Sequence, residues 1–395
     1  MTIVQACPGE DTQASGLAPQ GRAGFVSIVI PNWNGKHFLK DCLDSLLTQT
    51  YKELEILVVD NGSKDGSIEF LQENYPSVIV PRFEKNTGFS VAVNRGIRES
   101  KGEYIALINN DTVVDSLWVE ELVKALAGHA EVGSVGCKML AYDDHTLLDG
   151  VGDGYRRGGL PGRIGHREKD TGLFDQERYI LGACGGAAMY RRSLFVDIGL
   201  FDEDYFAYLE DVDMGLRAQS AGYKCLYVPT AKIFHLGCGT TGSGYSPLVV
   251  RLSSQNNFNT IVKNIPGPLL IRFFPYICFW QAYYLAVVCV RGGQVPAWFN
   301  GFGRAILLLP RMMAKRQAIN KGRRVSLAYL EEIIVQSEQD LEAARTRLNK
   351  QVLSERLSDK TVVKDSSESE SMAASKSQSD AIAESQAEVA PSTKR

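Results

Sequence analysis

Apolar runs and helical patterns alternate along the first third of the chain, and this alternation constrains the fold more than any other feature. Residues 26–30 and 54–59 are short apolar runs of the kind that form buried strands. Between them, apolar residues from 38 to 47 recur at helical spacing. A third strand is predicted at 77–83, and the pattern continues with a helix predicted at 89–100 and a fourth strand at 104–108. This order is typical of βαβ units, so the sequence predicts an α/β fold with a mostly parallel sheet.

Turn-forming residues, most of them polar, follow three of the predicted strands at the point where each strand ends. They are Pro31, Asn32, Asn34 and Gly35 after the first strand, Asp60, Asn61, Gly62 and Ser63 after the second, and Asn109, Asn110, Asp111 and Thr112 after the fourth. Each group by itself is an ordinary turn former. Because the carboxyl ends of parallel strands share one edge of a sheet, the groups together favour a ligand crevice. Asp60 suits the hydroxyls of a ribose or the polar edge of a base, and the glycines let backbone N–H groups approach an anion.

The last of these groups carries one carboxylate, Asp111, directly after an apolar strand. Carboxylate oxygens are ligands that Mg²⁺ and Mn²⁺ prefer. We therefore expect Asp111 to hold a divalent cation. The alternative is that Asn109, Asn110 and Asp111 only cap a turn, as short polar side chains often do.

A second group of acidic residues lies near the start of a helix predicted at 210–221. Glu210 and Asp211 at a helix N-terminus are stabilised by the dipole and by free N–H groups, which is one explanation for their presence. In that interpretation Asp213 and Arg217 form a surface ion pair at i, i+4 spacing. The functional interpretation makes one carboxylate a general base within hydrogen-bond reach of a hydroxyl.

His235 ends an apolar run that predicts a strand at 231–234, after another strand predicted at 223–228. A lone histidine in this position is often structural. The alternative is that His235 and a carboxylate on a neighbouring strand end share one metal ion. A loop is predicted at 141–178, which is rich in Gly, Asp and Arg, and loops of that length in compact domains are usually functional or mobile.

Charge is distributed unevenly, although the formal net charge is only −3. Acidic residues are absent between Asp213 and Glu331, whereas Lys and Arg are frequent there. A long basic segment indicates an anionic partner, either a membrane surface or a nucleic acid. Residues 273–290 form an uncharged run that as a helix reaches about 27 Å, close to the ~30 Å hydrocarbon core.

Residues 295–313 mix aromatic and aliphatic side chains with arginines, as in helices that lie in the headgroup region. These apolar runs favour a membrane and exclude a solvated nucleic-acid groove. A buried helical subdomain is the alternative. The eight cysteines form no CxxC pair, which indicates reduced thiols and argues against a disulfide framework or a zinc site.

The sequence divides into five predicted segments. They are a flexible tail at 1–24, an α/β domain at 25–245, a membrane-associating helical region at 246–326, an exposed charged helix at 327–353, and a disordered tail at 354–395. The first 24 residues contain no apolar core of signal-peptide type. We therefore expect the protein at the cytoplasmic side of the inner or plasma membrane, peripheral or monotopic, with 273–290 as a candidate transmembrane segment.

Several motifs in fixed order resemble the family 2 glycosyltransferases, and most of all their rhamnosyltransferase-like branch. The motifs are residues 26–34, 58–67, Asn86-Thr-Gly-Phe89 with Asn94-Arg-Gly96, 107–112 and 201–217. The resemblance covers roughly residues 25–235. It implies a GT-A fold, an inverting mechanism and a nucleotide-sugar donor.

The resemblance also assigns roles by position. The donor-binding residues are Pro31, Asn32, Asn34, Asp60, Asn61, Ser63, Asn86, Gly88, Asn94, Asn109 and Asn110, and the acceptor-side residues are Gly185, Gly186 and Glu210. Asp211 takes the place of the catalytic base, and Asp111 and His235 the places of ligands to Mg²⁺ or Mn²⁺. Asn109 stands where many relatives have the first Asp of an Asp-x-Asp motif, so one carboxylate charge is missing.

The predicted function is transfer of a sugar, with rhamnose as one candidate, from a nucleotide-diphosphate donor to a hydroxyl of a glycan or lipid-linked acceptor. One alternative is a nucleotidyltransferase, which needs a Gly- and basic-rich phosphate loop after the first strand. Residues 31–35 lack that loop. The other alternative is a scaffold that binds a nucleotide sugar without turnover, which the presence of both Asp111 and Asp211 disfavours. No nucleic-acid partner is expected.

Overall fold

The computed structural model describes residues 17–18, 20–237, 246–291 and 293–354. One compact unit extends to Ala344, and residues 345–354 are helical. The parts of the predicted tails at 1–16 and 355–395 lie outside the described residues.

The strands and helices follow the predicted alternation through the first half of the chain. The strands are β1 (Arg22–Asn32), β2 (Leu54–Asn61), β3 (Arg82–Phe83), β4 (Gly102–Ile108), β5 (Thr112–Val114), β6 (Val132–Ala141), β7 (Leu148–Gly150), β8 (Asp153–Tyr155), β9 (Pro161–Arg163), β10 (Arg178–Ile180), β11 (Ala187–Arg191) and β12 (Lys224–His235). The helices are α1 (Lys36–Leu47), α2 (Ser67–Asn74), α3 (Phe89–Glu99), α4 (Trp118–Gly128), α5 (Arg192–Ile198), α6 (Glu210–Ser220), α7 (Pro247–Asn264), α8 (Gly267–Arg291), α9 (Val295–Gly322) and α10 (327–354).

The central sheet has the strand order β10-β12-β6-β11-β4-β1-β2-β3. β1 pairs in parallel with both β2 and β4, and β12 pairs in parallel with β6. β11 runs antiparallel between β4 and β6. The prediction of an α/β fold with a mostly parallel sheet is confirmed.

The apolar residues of β1 point alternately to the two faces of the sheet, because side chains along a strand have a period of two. Ile28 and Ile30 pack on the face covered by α1 and α4, and Val29 packs on the other face with α3. All three are fully buried. Both faces of the sheet are therefore covered, which leaves the carboxyl ends of the strands as the free edge.

The structure corrects three local predictions. The predicted loop at 141–178 contains β7 and the β8–β9 hairpin. The strand predicted at 77–83 is reduced to the two residues of β3, with Ile79 forming an isolated bridge to Leu57. The two strands predicted between 223 and 234 are one strand, β12, with an irregularity between Val228 and Lys232.

Helices α7 and α9 pack closely against each other. At Gly301 an added Cβ atom would lie 2.2 Å from the carbonyl oxygen of Arg251, so only glycine fits there. By contrast, α8 leaves Ile271, Phe274 and Phe279 exposed at 79%, 61% and 63%. Among the described residues, Gly267–Val290 is the stretch long and apolar enough to cross a membrane, with a mean hydropathy of 1.6.

The prediction of an exposed helix at 327–353 is wrong for one of its faces. Leu330, Ile334 and Leu341 are almost fully buried. The Ser337 hydroxyl accepts a 2.8 Å hydrogen bond from the backbone N–H of Tyr155, on β8. The sequence did not reveal this contact because the charged residues of the helix outnumber the apolar residues of its buried face.

The basic interval is also less available to an anionic partner than its composition indicated. Lys263 and Lys315 contact the Asp202 carboxylate at 2.6 and 2.5 Å, and Arg324 contacts Asp197 at 2.6 Å. These cations of the basic interval neutralise carboxylates of the α/β domain. Part of the charge asymmetry is therefore satisfied within the protein.

Candidate active site

The ends of β1 and β2 lie in register and form one wall of the crevice. Asn32 lies opposite Asp60. Its Nδ2 donates to Asp60 Oδ1 and to Ser63 Oγ, both at 3.3 Å. The backbone N–H of Ser63 donates to Asp60 Oδ2 at 3.1 Å. These bonds orient the buried Asp60 carboxylate at the carboxyl ends of the strands, beside Pro31 and Asn32 of the neighbouring strand.

The tip of β4 is fastened to the tip of β1. Asn110 Nδ2 donates to Asn32 Oδ1 at 2.8 Å, so the predicted convergence of these strand ends is observed. An added Cβ at Gly35 would lie 2.0 Å from Asn110 Nδ2, which explains the glycine. Asn34 adopts a positive φ of 52°, and its Oδ1 accepts a 2.8 Å hydrogen bond from the backbone N–H of Lys64.

Three other predicted donor-binding residues hold loops together through their amide groups. Asn61 Nδ2 donates to the Gly88 carbonyl at 3.0 Å and to Asn86 Oδ1 at 3.2 Å. Asn94 donates to the Phe201 carbonyl at 2.8 Å and accepts from its N–H at 3.0 Å. The structure places Asn94 fully inside the protein. Its amide therefore connects α3 to the segment before α6, a structural role that the motif pattern did not separate from donor binding.

Asp111 and His235 lie side by side, as predicted for metal ligands. His235 pairs with Thr112 between β12 and β5, and its Nε2 lies 3.3 Å from Asp111 Oδ1. Both side chains are buried, and Nε2 makes no hydrogen bond of acceptable geometry with any described residue. The other ring nitrogen, Nδ1, lies 2.8 Å from Asp149 Oδ2. A carboxylate on the far nitrogen is the usual support of a metal-binding histidine.

This donor set fits a divalent cation. A carboxylate oxygen and an imidazole nitrogen suit Mn²⁺ and are compatible with Mg²⁺, which also takes phosphate oxygens. Burial lowers the pKa of His235, but the neighbouring carboxylates of Asp111 and Asp149 outweigh it and raise the pKa to about 9. A metal ion would therefore displace a proton from the imidazole.

Asp149 and Arg163 belong to this site although sequence reasoning missed them. Arg163 Nη1 lies 2.5 Å from Asp149 Oδ2. An added Cβ at Gly150 would lie 2.3 Å from Arg163 Cδ, so glycine makes room for the arginine side chain. Burial raises the pKa of Asp149, whereas hydrogen bonds from His166 and His235 lower it well below its usual range. The only signal was the richness of the 141–178 segment in Gly, Asp and Arg.

Asp211 lies at the start of α6 beside the glycines that were predicted for the acceptor side. The backbone N–H of Gly185 donates to Asp211 Oδ2 at 3.1 Å. An added Cβ at Gly185 would lie 3.4 Å from that oxygen, and one at Gly186 would lie 3.2 Å from Asn109 Nδ2. The two glycines therefore separate the predicted base from Asn109 at the tip of β4.

Two neighbours of Asp211 favour the protonated state. Burial first, and then the charge of Asp211, raises the pKa of Asp153 and of Glu210 well above the usual range. One ligand atom each from Asp153, Cys184 and Asp211 lies within 4.8 Å of the others. Burial also raises the pKa of Cys184. Because burial favours the protonated forms of Asp153 and Cys184, this cluster is a poorer cation site than Asp111 and His235.

The turn before α6 is strained and is held by α7. Phe206, Tyr208 and Leu209 have positive φ angles of 56°, 72° and 65°, a region that costs non-glycine residues energy. Asn256 Nδ2 donates to the carbonyls of Tyr205, Ala207 and Tyr208 at 2.8–2.9 Å. The position of Asp211 therefore depends on a fully buried amide from the C-terminal helices.

The predicted surface pair of Asp213 and Arg217 is buried. Arg217 Nε contacts Asp213 Oδ2 at 2.9 Å, and Lys263 and Asn264 reach the same carboxylate at 2.7 and 2.8 Å. The Asp213 side chain has no exposed surface. Asp213 therefore joins α6 to α7, a pairing that helical spacing alone assigned to the surface.

The fold and the crevice define a glycosyltransferase of the GT-A type, and comparisons with known proteins agree. A profile described as "Glycosyl transferase family 2" matches residues 27–199. An N-acetylglucosaminyl-diphospho-decaprenol L-rhamnosyltransferase of Mycobacterium tuberculosis is 30% identical over 233 residues, which are 53% of this chain and 74% of the relative. The chain belongs to glycosyltransferase family 2, in its rhamnosyltransferase-like branch.

A further relative and a solved structure complete the comparison. The O-antigen biosynthesis protein RfbC of Myxococcus xanthus is 29% identical over 248 residues, which are 58% of this chain and 19% of that protein. The crystal structure of GalNAc-T7 with UDP, GalNAc and Mn²⁺ superposes with a TM-score of 0.58 and 17% identity, covering 79% of this chain and 56% of that one. This likeness confirms the predicted GT-A fold.

Proposed function

We propose that the protein is an inverting glycosyltransferase that moves a sugar, with rhamnose as the first candidate, from a nucleotide-diphosphate donor to a hydroxyl of a lipid-linked acceptor. The observation that carries this proposal is the buried Asp111–His235 pair, whose free Nε2 atom is supported from behind by Asp149. The name of the mycobacterial relative supports both rhamnose and a lipid-linked acceptor.

In this proposal the β1 and β2 ends hold the nucleoside. Asp60, oriented by Asn32 and Ser63, accepts hydrogen bonds from the ribose or base. Asp111 and His235 hold Mn²⁺ or Mg²⁺, which when bound neutralises the charge of the departing diphosphate. With Asn109 in place of a carboxylate, Asp111 and His235 are the side chains that would hold the metal.

Asp211 acts as the general base. An Asp211 oxygen accepts the proton of the acceptor hydroxyl while the acceptor oxygen forms a bond to the anomeric carbon. The bond from that carbon to the diphosphate breaks on the opposite face, so the configuration inverts. Gly185 and Gly186 leave room for the acceptor sugar next to this carboxylate.

The apolar helix α8 and the exposed residues of α9 attach the enzyme to the cytoplasmic face of the membrane in this proposal. Exposed Phe299, Ile306 and Leu307 of α9 add to the uncovered face of α8. Contiguous exposed apolar surface of this kind marks membrane or protein contacts. Recovery of the intact protein in the salt- and carbonate-soluble fraction of cell extracts would contradict this part.

The test of the activity is a product assay with the full chain in detergent. The protein is incubated with dTDP-, UDP- or GDP-sugars, Mn²⁺ or Mg²⁺, and a GlcNAc-diphospho-polyprenol acceptor. We expect one donor to give a metal-dependent disaccharide-lipid whose new anomeric centre, read by NMR, is inverted relative to the donor. Retention of configuration would contradict the assignment of Asp211. Binding of a donor without product for any acceptor would favour a scaffold.

A further inference from the structure

Two arginines lie near each other on neighbouring helices, and neither has an acidic partner among the residues that the structure describes. Arg251 is on α7 and Arg304 on α9, and the two helices touch where Gly301 faces the Arg251 carbonyl. Lys263, Arg311 and Lys315 of the same two helices form ion pairs, whereas Arg251 and Arg304 form none with the described residues. Burial and the charge of Arg304 lower the pKa of Arg251. Paired like charges without a counter-ion are a feature of anion-binding sites.

The arginine pair is connected to the segment that precedes the proposed base. Arg304 Nε donates to Gln255 Oε1 at 3.0 Å, and Gln255 Nε2 donates to the backbone carbonyl of Asp204 at 3.3 Å. The next residue, Asn256, holds the strained turn that ends at Asp211. An anion bound by the arginines would therefore lie against the same structural elements that position the base.

An apolar groove lies between α7 and α9, the two helices that carry the arginine pair. Its volume is about 160 Å³, and it is lined by Phe258, Asn259, Val262, Phe302, Ala305, Ile306, Leu309 and Met312. An apolar cavity of about 150 Å³ takes a group the size of benzene, which is close to one isoprene unit. Ile306 and Leu309 on its rim are exposed at 54% and 42%, so a longer chain can leave the groove toward the outside.

A second observation points to a ligand in the groove. Asn259 is 1% exposed, and its Nδ2 has no hydrogen-bond partner within the described residues. A buried amide donor without a partner costs about 1–3 kcal/mol, which an oxygen of a bound molecule would relieve. The groove thus offers a free donor and an apolar wall, and the arginine pair lies on the same two helices.

We propose that Arg251 and Arg304 bind the diphosphate of a polyprenyl-diphosphate-linked acceptor, and that the α7–α9 groove holds the first isoprene unit of its chain. This inference rests on the proposed function, since it assigns the acceptor of that same reaction. The exposed apolar face of α8 and α9 would keep the remaining chain in the bilayer. Charge complementarity selects this occupant over a neutral lipid, because two arginines match the charge of a diphosphate.

The experiment measures binding without turnover. Farnesyl diphosphate is titrated into the full-length protein in detergent with EDTA, so that no metal draws the diphosphate to the donor site. The reporter is the fluorescence of Trp298. Its ring stacks on that of Phe302, with the centroids 5.5 Å apart, and its centroid lies 6.2 Å from that of Phe258. Trp298→Phe identifies its share of the signal. Inorganic diphosphate and farnesol probe the head and the chain separately.

We expect farnesyl diphosphate to bind more tightly than either fragment. Arg304→Gln, at an exposed position, should weaken its binding about tenfold and leave farnesol binding unchanged. Ile306→Asn with Leu309→Asn should weaken farnesyl diphosphate and farnesol but not inorganic diphosphate. Arg272→Gln, which removes an exposed cation of α8 that pairs with Glu331, is the matched control and should bind as the wild type does.

Two results would overturn the inference. One is equal affinity of Arg304→Gln and wild type for farnesyl diphosphate. The other is full displacement of farnesyl diphosphate by phosphatidylglycerol vesicles, which would assign the arginines to a bilayer headgroup. Failure of the proposed function is distinguishable, because it would remove sugar transfer by the wild type and leave this binding series intact.

Discussion

Two buried groups of carboxylates in this protein have similar composition but differ in how their polar atoms are satisfied. In the first group, Asp111 and Asp149 flank His235, whose Nε2 is buried without a hydrogen bond. In the second group, Asp202 and Asp213 share Lys263, at 2.6 and 2.7 Å. All carboxylate oxygens of the second group accept hydrogen bonds.

The difference separates a binding site from a structural junction. Burial opposes ionisation in the second group, but the charge of Lys263 lowers the pKa of both Asp202 and Asp213. All polar atoms of these carboxylates are satisfied within that network, which joins α6 to the C-terminal helices. The first group retains a free ligand atom, which a metal ion would complete. The positions of acidic residues in the sequence do not reveal whether they form a binding site or a structural junction.

The largest expected effect is that of Asp211→Asn on sugar transfer. Loss of a general base lowers rates by about 10²–10⁴-fold, while donor binding needs only the β1 and β2 ends and the metal. We expect kcat to fall by that factor with the dissociation constant of the donor unchanged. Steady-state kinetics and calorimetric titration of the donor measure the two quantities. Wild-type kcat in a folded Asp211→Asn protein would exclude this carboxylate as the base.

Lys263→Met tests the closed network. Removing one partner of a buried ion network leaves uncompensated charge and costs about 3–5 kcal/mol in the free energy of unfolding. We expect the melting temperature to fall by roughly 10 °C. Arg272→Met, which breaks the exposed contact with Glu331, should cost no more than about 1 kcal/mol and serves as the control. An equal loss of unfolding free energy in both variants would mean that the buried network stabilises the fold no more than the exposed ion pair does.

The pH dependence of stability also distinguishes the two groups of carboxylates, because it comes from the first group, which contains His235. The pKa of His235 is raised from 6.5 to about 9 in the folded protein. The resulting stabilisation, about 3 kcal/mol, is present below about pH 6.5 and is lost as the pH rises through 9. Urea unfolding in EDTA at several pH values measures it.

Two comparisons control the pH prediction. Asp149→Asn removes one of the groups that raise the pKa of His235, so its pH dependence should be weaker. Added Mn²⁺ requires a neutral imidazole, so stabilisation by the metal should instead increase with pH toward 9. A metal effect that is independent of pH would exclude His235 as a ligand.

The smallest expected effect is that of Ser63→Ala on donor affinity. Ser63 Oγ accepts hydrogen bonds from Asn32 Nδ2 and from the backbone N–H of Asn34. Loss of this hydroxyl costs about 1 kcal/mol of binding free energy, so donor binding should weaken roughly fivefold with little change in kcat. Thr48→Ala, which removes a hydroxyl bond at the end of α1, is a matched control away from the crevice. A fall in kcat with unchanged affinity would argue against a donor role for this turn.

The sequence by itself determined the α/β sheet, the order of its strands along the chain, and the polar ends of β1, β2 and β4. These features are local: a period of two or 3.6 residues and a polar strand end are visible in a short window. The family motifs added Asp211 and the pairing of Asp111 with His235.

Only the tertiary structure decided which polar groups serve the site. Asp149 reaches His235 and is itself held by Arg163, and both come from strands of a segment that lacked periodicity. Asn256 reaches the turn before Asp211 from a helix almost fifty residues later in the chain. Lys263 belongs to the basic interval for which the sequence predicted an anionic partner, but in the structure it is an internal partner of Asp202 and Asp213. Such contacts depend on long-range packing, where the cost of leaving a buried charge or amide unpaired selects the partner.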